Sequence, residues 1–424
     1  MDLIYKKKLG MLQEFINKQF YRIFLLTLVF GVLLYGLIGF QSIDELCGAF
    51  LFLLFIYHMF HSKEWEINKF FLVVLGIFLF YFFYSIQIHS NSMKGILMDF
   101  IIQLKPYLAF FCTYQLAPIF SSKSKKILSD SSIVGWVLLL PIGVLGIINP
   151  NTFKVTMAHA SNYAAAITAL AIVFLYSSNY SKRNILTFII LLAAGIASGR
   201  SKFYGFFIMA TFLITYLTKP ERIKINFKNT ILFLVTITIM AVVAKSKIEL
   251  YFLQGLSDNA DKDYVARFVL YATSFQVFYD YFPLGCGFAS FATFASGAYY
   301  SHIYKEYEID GIWGISKSYH SFISDTYYPS LAQFGIVGIV LFILFWIYLI
   351  KKSLLYANVT RDMKLTVISI LIIVFFAIEN IADASFTSNR GLFMMMFLGL
   401  VAANQKAEAK QVIQSKQIQE IKND

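Results

Sequence analysis

The chain has 424 residues, of which 58% are hydrophobic and 14% charged, and its mean hydropathy is +0.66. This composition excludes a soluble globular protein of this length. The formal net charge of +12 would suit a nucleic-acid partner. The distribution of the basic residues along the chain, described below, excludes nucleic acid as the reason for that charge.

Apolar runs of nearly the length that a helix needs to cross a bilayer recur from the first segment to the last. They do not alternate in polarity as the strands of a membrane barrel do, and a helix satisfies its own backbone hydrogen bonds in lipid. We therefore predict an all-α polytopic membrane protein with about twelve transmembrane helices. The predicted spans are 21–40, 45–60, 69–87, 97–117, 133–149, 160–178, 184–198, 203–217, 230–245, 331–350, 364–379 and 390–404.

These spans divide the chain into four segments. Residues 1–245 form a predicted N-terminal membrane bundle of about nine spans, and 246–330 form one large extramembrane loop. Residues 331–404 hold the C-terminal spans, and 405–424 form a polar tail. The first span follows about 20 polar residues and has no small-residue cleavage site, so we expect it to be retained rather than removed as a signal peptide.

The basic residues predict which side of the membrane each segment occupies. With a cytoplasmic N-terminus, lysine or arginine occurs in every segment on the inner side. Those segments are 1–20, 61–68, 118–131, 179–183, 218–229, 351–363 and 405–424. The short outer loops hold only Lys94, Lys154, Arg200, Lys202 and Arg390. This positive-inside pattern predicts that the long loop faces outward and that the C-terminal tail is cytoplasmic.

A short hairpin at the predicted outer face carries the first candidate site residue. Arg200 lies in Ala-Ser-Gly-Arg-Ser-Lys, between two apolar runs. An arginine there can reach phosphates at the membrane surface, and the glycine and serines allow the backbone to turn and expose its amides. The alternative is an arginine that snorkels to the interface without binding anything.

Arg267 is the isolated arginine of the long loop. Apolar residues at helical spacing predict an amphipathic helix over 264–281 on the outer surface, followed by a glycine-rich turn at 283–288. The planar guanidinium suits phosphate oxygens. The alternative is a structural salt bridge to Asp263 or Asp280.

His320 lies in Ser-Tyr-His-Ser, shortly before hydrophobicity resumes. A neutral imidazole at the membrane edge can remove a proton from a sugar hydroxyl, and the alternative is a structural histidine. The other histidines have weaker surroundings; they are His58, His61, His89, His159 and His302. No metal motif, carboxylate pair or cysteine spacing is present, so we expect neither a metal nor another cofactor. Lys105 within the fourth predicted span either lines a lipid or sugar cavity or snorkels.

Several short motifs occur in a characteristic order. Ser-Gly-Arg-Ser at 198–201 precedes Arg-x-x-x-Tyr at 267–271 and Pro-Leu-Gly-x-Gly-x-x-x-Phe at 283–291. His-Ser at 320–321 and Leu-Ala-Gln-Phe-Gly-Ile-Val-Gly at 331–338 follow. Over about 160–350 the chain resembles the O-antigen ligase and O-antigen polymerase superfamily of bacterial membrane glycosyltransferases. Asn162 resembles a further family position, whereas many relatives have an acidic residue in place of Gln333.

The resemblance implies a GT-C-like enzyme of the bacterial inner membrane with its site on the periplasmic face. Its donor would be an oligosaccharide linked through a diphosphate to undecaprenol. Arg200 and Arg267 would hold the diphosphate, and His320 would activate the acceptor hydroxyl without a metal. The further substrate-binding candidates are Lys105, Asn162, Lys202 and Tyr271.

Three activities remain open. A polymerase transfers the glycan to the non-reducing end of another lipid-linked repeat unit, and a chain-length regulator is a candidate partner for it. A ligase transfers the glycan to the lipid A core. The abundance of Phe, Ile, Lys, Asn and Tyr indicates an AT-rich gene, as in polysaccharide gene clusters, and favours the polymerase. A lipid-linked oligosaccharide flippase is the third alternative, but it would be expected to have mid-membrane charges and short loops on both sides.

Overall fold

The computed structural model describes residues 2–38, 42–62, 68–219, 238 and 262–423. All regular secondary structure within these residues is helical. The helices are α1 (Asp2–Leu26), α2 (Tyr35–Ile38), α3 (Ile43–His61), α4 (Lys69–Gln87), α5 (Met93–Leu116), α6 (Ser122–Ile148), α7 (Asn151–Met157), α8 (Ala160–Ser177), α9 (Lys182–Ala193), α10 (Ser201–Tyr216), α11 (Lys262–Asp280), α12 (Phe294–Ala298), α13 (Ile303–Glu306), α14 (Gly335–Thr360), α15 (Lys364–Glu379) and α16 (Asn389–Asn423). A π-helical turn, Thr27–Leu33, continues α1, and 3-10 turns occupy Ala194–Ser198, Tyr328–Phe334 and Ser385–Thr387.

Seven helical stretches within the described residues are long and apolar enough to cross a membrane. They are Gly10–Leu33, Ile43–His61, Lys69–Gln87, Met93–Leu116, Ser122–Ile148, Ala160–Ser177 and Tyr328–Thr360. The chain is therefore a helical membrane protein, as the composition predicted. The predicted spans 184–198, 203–217, 364–379 and 390–404 also lie on helices, but these fall outside the seven. The predicted span 230–245 lies outside the described residues apart from residue 238, so the number of twelve stays a prediction.

The helix α8 forms the centre of the bundle. Its run of alanines gives it a narrow surface, so other helices can approach it closely, and every residue from Ser161 to Tyr176 is buried. Helices α4 and α14 instead expose large apolar side chains on one face, including Leu72, Phe83 and Leu344. In a membrane protein such exposed apolar faces contact the lipid chains.

The described part of the long loop has a hydrophobic core of its own. The helix predicted over 264–281 is α11, and its Leu270 and Val277 pack with Ile303, Tyr304 and Ile323 in this core. The described part of the loop is thus a folded unit rather than irregular chain.

Two of the motifs recognised in the sequence pack directly against each other. The Gly287 amide donates to the carbonyl of Gln333 at 2.8 Å. Gly285 and Gly335 lie so close that a Cβ on Gly285 would stand 2.3 Å from the Gly335 nitrogen. Glycine is therefore required for this approach of two backbones. The contact fixes the base of the loop to the start of α14.

Candidate functional site

A cluster of charged side chains lies where the loop, the hairpin before α10 and the turn between α15 and α16 meet. We call it the charge cluster. Its members are His159, Arg200, Lys202, Arg267, Asp325, Glu379, Asp383 and Arg390. The structure thus brings Arg200, Lys202 and Arg267, three of the site residues predicted from sequence, into one region.

Asp383 is the centre of the cluster. The Arg390 Nη2 lies 2.9 Å from its Oδ1, and the Lys202 Nζ lies 3.3 Å from its Oδ2. Lys202 also pairs with Glu379 at 2.6 Å. Burial alone would raise the pKa of the Asp383 carboxyl, but Arg390 and Lys202 hold it well below its usual range. Asp383 therefore stays ionised and holds both cations in place.

Arg267 is paired with a carboxylate far along the chain. Its guanidinium contacts the Asp325 carboxylate and lies over the Phe322 ring, 5.4 Å from the centroid. Burial raises the pKa of Asp325, and Arg267 opposes that effect. The alternative partner Asp280 instead accepts from the Tyr307 hydroxyl at 2.7 Å, while the side chain of Asp263 lies outside the described residues.

The turn after α15 joins the loop to the bundle. The Tyr271 hydroxyl donates to the Ile381 carbonyl at 2.7 Å, and the Tyr327 amide donates to the Asn380 carbonyl at 3.3 Å. Asp383 and Lys202 influence the pKa of Asp325 electrostatically, so the two groups of charges are neighbours. Tyr271 acts here as a hydroxyl that fastens α11 to the turn.

Arg200 has a different environment from the other cations. Gly199 has a φ of +66°, which turns the chain between the end of α9 and Arg200. The half-buried guanidinium places Nη2 2.6 Å from the His159 Nε2, and Arg200 makes no ion pair with any residue that the structure describes. No carboxylate within the described residues therefore neutralises its positive charge.

The ring of His159 is neutral in this arrangement. Partial burial, followed by the nearby Arg200, lowers its pKa to about 4, although the residue is solvent-accessible where it lines a cavity. The Nε2 atom faces the donating guanidinium at 2.6 Å, and the Nδ1 atom accepts from the Ser161 amide at 3.3 Å. An imidazolium, which donates from both nitrogens, does not fit this arrangement. A neutral neighbour orients Arg200 without removing its charge.

The cavity beside Arg200 has a volume of about 810 Å³. Arg200, His159 and the exposed Lys154 line it, together with apolar residues such as Ile147 and Ile196. Two cations and a partly apolar wall suit a ligand that has an anionic group attached to an apolar chain.

The other predicted site residues lie apart from Arg200. His320 is exposed next to Gly297, and its ring makes no hydrogen bond to another described residue. It stands two residues before Phe322, which underlies Arg267, but no contact joins it to Arg200 within the described part of the chain. Asn162 is buried and donates to the Met157 carbonyl at 2.8 Å, where it closes the turn between α7 and α8.

Lys105 neither snorkels nor lines the cavity next to Arg200. It is buried in α5, where it pairs with Asp44 and, at 3.0 Å, with Glu45. Both carboxylates belong to the first turn of α3. Both carboxylates contact the Lys105 ammonium, so the lysine joins α3 to α5.

Two parts of this site were not predicted from the sequence. His159 was set aside with the weakly placed histidines, although it comes directly before α8 on the same predicted side as Arg200. The turn holding Glu379, Asp383 and Arg390 was considered only for topology. The available signal was the pair of acidic residues Glu379 and Asp383 at the end of an apolar run. Acidic residues near lipid are unfavourable unless they have partners, so this pair indicated a cluster of charges.

No protein-family model matches the chain, and no curated protein matches it either. No group of three or more potential metal ligands occurs among the described residues. The chemistry that this arrangement supports is the binding of an anion by Arg200 and Lys154, with a solvent-exposed imidazole on the neighbouring loop.

Proposed function

We propose that this chain is a metal-independent glycosyltransferase with a polyprenyl-diphosphate-linked glycan as its donor, and that it acts as an O-antigen, or surface-polysaccharide, polymerase. One observation carries the proposal. The guanidinium of Arg200, which has no carboxylate partner among the described residues, faces a cavity of about 810 Å³ that Lys154 also lines. A diphosphate would supply the missing negative charge.

The surroundings of the cavity support a lipid-linked ligand. The end of α6 exposes Ile147 and Ile148, with 66% and 76% of their surfaces accessible. Ile147 also lines the cavity. A polyprenyl chain can therefore lie along the lipid-facing side of α6 while its diphosphate reaches Arg200. A polyprenyl chain would also contact the apolar wall of the cavity, whereas a free sugar nucleotide has no apolar chain to place there.

The proposed reaction is a displacement at the anomeric carbon of the donor. The oxygen of an acceptor hydroxyl forms the new glycosidic bond, and the bond from the anomeric carbon to the diphosphate breaks. The polyprenyl diphosphate leaves as an anion, which Arg200 and Arg267 stabilise, so it needs no proton. The hydroxyl proton passes to the exposed imidazole of His320.

The polymerase and the ligase share the donor and differ in the acceptor, so a donor site does not discriminate between them. The polymerase is therefore preferred on the composition of the chain alone. The flippase alternative has one observation in its favour, namely the buried pair of Lys105 with Asp44 inside the helical bundle. Intramembrane charges are a common feature of transporters. A folded loop with its own core is not a feature that flipping requires.

The surface polysaccharide of a strain lacking this gene tests the proposal. A polymerase predicts a single repeat unit attached to the lipid A core, because ligation continues without polymerisation. Bare core with lipid-linked polymer would indicate the ligase, and lipid-linked single units confined to the cytoplasmic face would indicate the flippase. Either result would contradict the polymerase assignment.

Complementation of that strain tests the site. We expect Arg200→Ala and His320→Ala to insert normally and to give no polymer, while Lys94→Ala, which removes an exposed cation near the start of α5, restores the normal ladder. Polymer of normal length from either of the first two variants would refute the assigned site.

A further inference from the structure

Helix α11 carries apolar side chains on both of its faces. One face, with Leu270 and Val277, is buried in the core of the loop. The opposite face exposes Phe275 and Tyr279, and the turn that follows exposes Phe282, with 71%, 85% and 70% of their surfaces accessible. We call these three residues the aromatic stripe. A helix that met only water on this face would be expected to carry polar residues there.

The spacing of Phe275 and Tyr279 places both on one side of α11, and Phe282 follows in the turn after the helix. Positions separated by four and seven residues lie one above the other along a helix. No lysine or arginine interrupts the stripe, and Asp280 is the one charged residue between its ends. Three neighbouring aromatic rings open to solvent form a patch that needs a partner.

The position of the stripe indicates what that partner is. The Val337 amide at the start of α14 donates to the Pro283 carbonyl at 3.3 Å, directly after Phe282. The Tyr84 hydroxyl near the end of α4 donates to the Gly285 carbonyl at 2.9 Å. Phe282 therefore lies level with the end of the candidate span Lys69–Gln87 and with the first turn of α14, which belongs to the candidate span Tyr328–Thr360.

The stripe also continues an apolar face that is already directed to lipid. The first turns of α14 expose Ile336 and Val340, and both residues lie within the candidate span Tyr328–Thr360 that includes α14. Phe275 lies about 8 Å from Asp280 at the end of α11, at a rise of about 1.5 Å per residue, and Phe282 follows two residues later. The whole stripe thus fits within the interfacial layer of a bilayer, where aromatic side chains are enriched.

We propose that the aromatic stripe inserts into the headgroup layer of the membrane and holds α11 in the plane of the interface. This contact fixes the depth of Arg267, which lies two turns before Phe275 on the same helix. The inference does not depend on the proposed glycosyltransferase activity, because it concerns only the surface of the loop.

Spin labelling of the full-length protein in phosphatidylethanolamine and phosphatidylglycerol vesicles tests this proposal. A label on Tyr279→Cys is compared with one on Lys317→Cys, an exposed polar position elsewhere on the loop. The native Cys47, Cys112 and Cys286 are buried, so the new thiol is the accessible one among the described cysteines. Collisions with oxygen report lipid, and collisions with a water-soluble nickel chelate report solvent.

We expect the label at 279 to collide several-fold more with oxygen than with the nickel chelate, and the label at 317 to show the reverse. Adding Phe275→Ser and Phe282→Ser should move the label at 279 toward the solvent behaviour. Solvent behaviour at 279 without those substitutions would overturn the proposal. Exclusion of both reagents would also overturn it, because the stripe would then be packed against another protein surface such as a second copy.

Discussion

The two arginines proposed to bind the donor have different electrostatic environments. Arg267 is already neutralised by Asp325, whereas the Arg200 guanidinium hydrogen-bonds to the neutral ring of His159 and pairs with no carboxylate within the described residues. A diphosphate would thus gain more from Arg200 than from Arg267. The loss of activity on replacing Arg267 has two possible causes, which can be separated by experiment.

Replacing Arg267 alone leaves the half-buried Asp325 carboxylate without its partner. We expect Arg267→Ala to lower the melting temperature in detergent, and Arg267→Ala with Asp325→Ala to recover most of it, because the orphaned charge is removed. Both variants should remain without polymer if the guanidinium also contacts the donor. Polymer restored by the double variant would show that Arg267 has only a structural role.

The stability of the folded chain should depend on the protonation of His159. Its pKa is lowered to about 4 in the folded state, against about 6.5 in an unfolded chain. Between about pH 6.5 and pH 4 the unfolded chain therefore binds a proton that the folded chain does not bind. The contribution of His159 to the free energy of unfolding is complete above about pH 6.5 and is lost as the pH falls toward 4. Melting curves should show a weaker decline over this window for His159→Asn than for the natural chain.

The exposed His89, outside the cavity, provides the matched control for that measurement. His89→Asn should leave the pH dependence of the melting temperature as it is in the natural chain. Equal declines for His159→Asn and the natural chain would contradict the described role of His159.

At the scale of elements, the turn between α15 and α16 connects the hairpin to the rest of the site. Asp383→Ala would leave Lys202 and Arg390 buried and short of a counter-charge. Loss of one partner of a buried pair costs about 3–5 kcal/mol, so we expect a large fall in melting temperature. Asp130→Ala, an exposed carboxylate on α6, should cause little change. A similar small change for both variants would show that the pairs around Asp383 contribute little.

The elements were predictable to the extent that hydrophobicity alone defines them. The long apolar runs at 69–87 and 160–178 predicted α4 and α8 almost to the residue, because lipid favours one continuous helix. The ends of α1 and α16 were not predictable in this way. These helices continue into polar sequence. A helix still forms its backbone hydrogen bonds there, but hydropathy no longer indicates that the segment is helical.

The candidate site was only partly predictable, because several of its contacts join residues that are far apart along the chain. The local sequence around Arg200 and Arg267 indicated exposed cations at turns and helices. The pairing of Lys202 with Asp383 joins residues 181 positions apart, and no periodicity in the sequence encodes such a contact. The partner of Arg267 was missed for the same reason, since nearby acidic residues were the only ones considered.

At the scale of the whole molecule, the positive-inside pattern predicts the side of each segment. Lys317→Cys on the loop should react with a membrane-impermeant thiol reagent in intact spheroplasts, and Ser415→Cys on the tail should react only after lysis. Both positions are exposed. Reaction at 415 without lysis, or protection at 317, would reverse the orientation and remove the basis for a site on the outer face.

The central claim is that the chain transfers a glycan from a polyprenyl diphosphate and that Arg200 binds the diphosphate. The most direct measurement is the release of polyprenyl diphosphate by the purified protein, supplied in detergent with the lipid-linked repeat unit of its own strain. We predict release together with longer lipid-linked glycans, a rate lower by about 10²–10³ for Arg200→Ala, and no change for Lys94→Ala. Folded protein that releases no polyprenyl diphosphate, or equal release by Arg200→Ala and the natural chain, would contradict the claim.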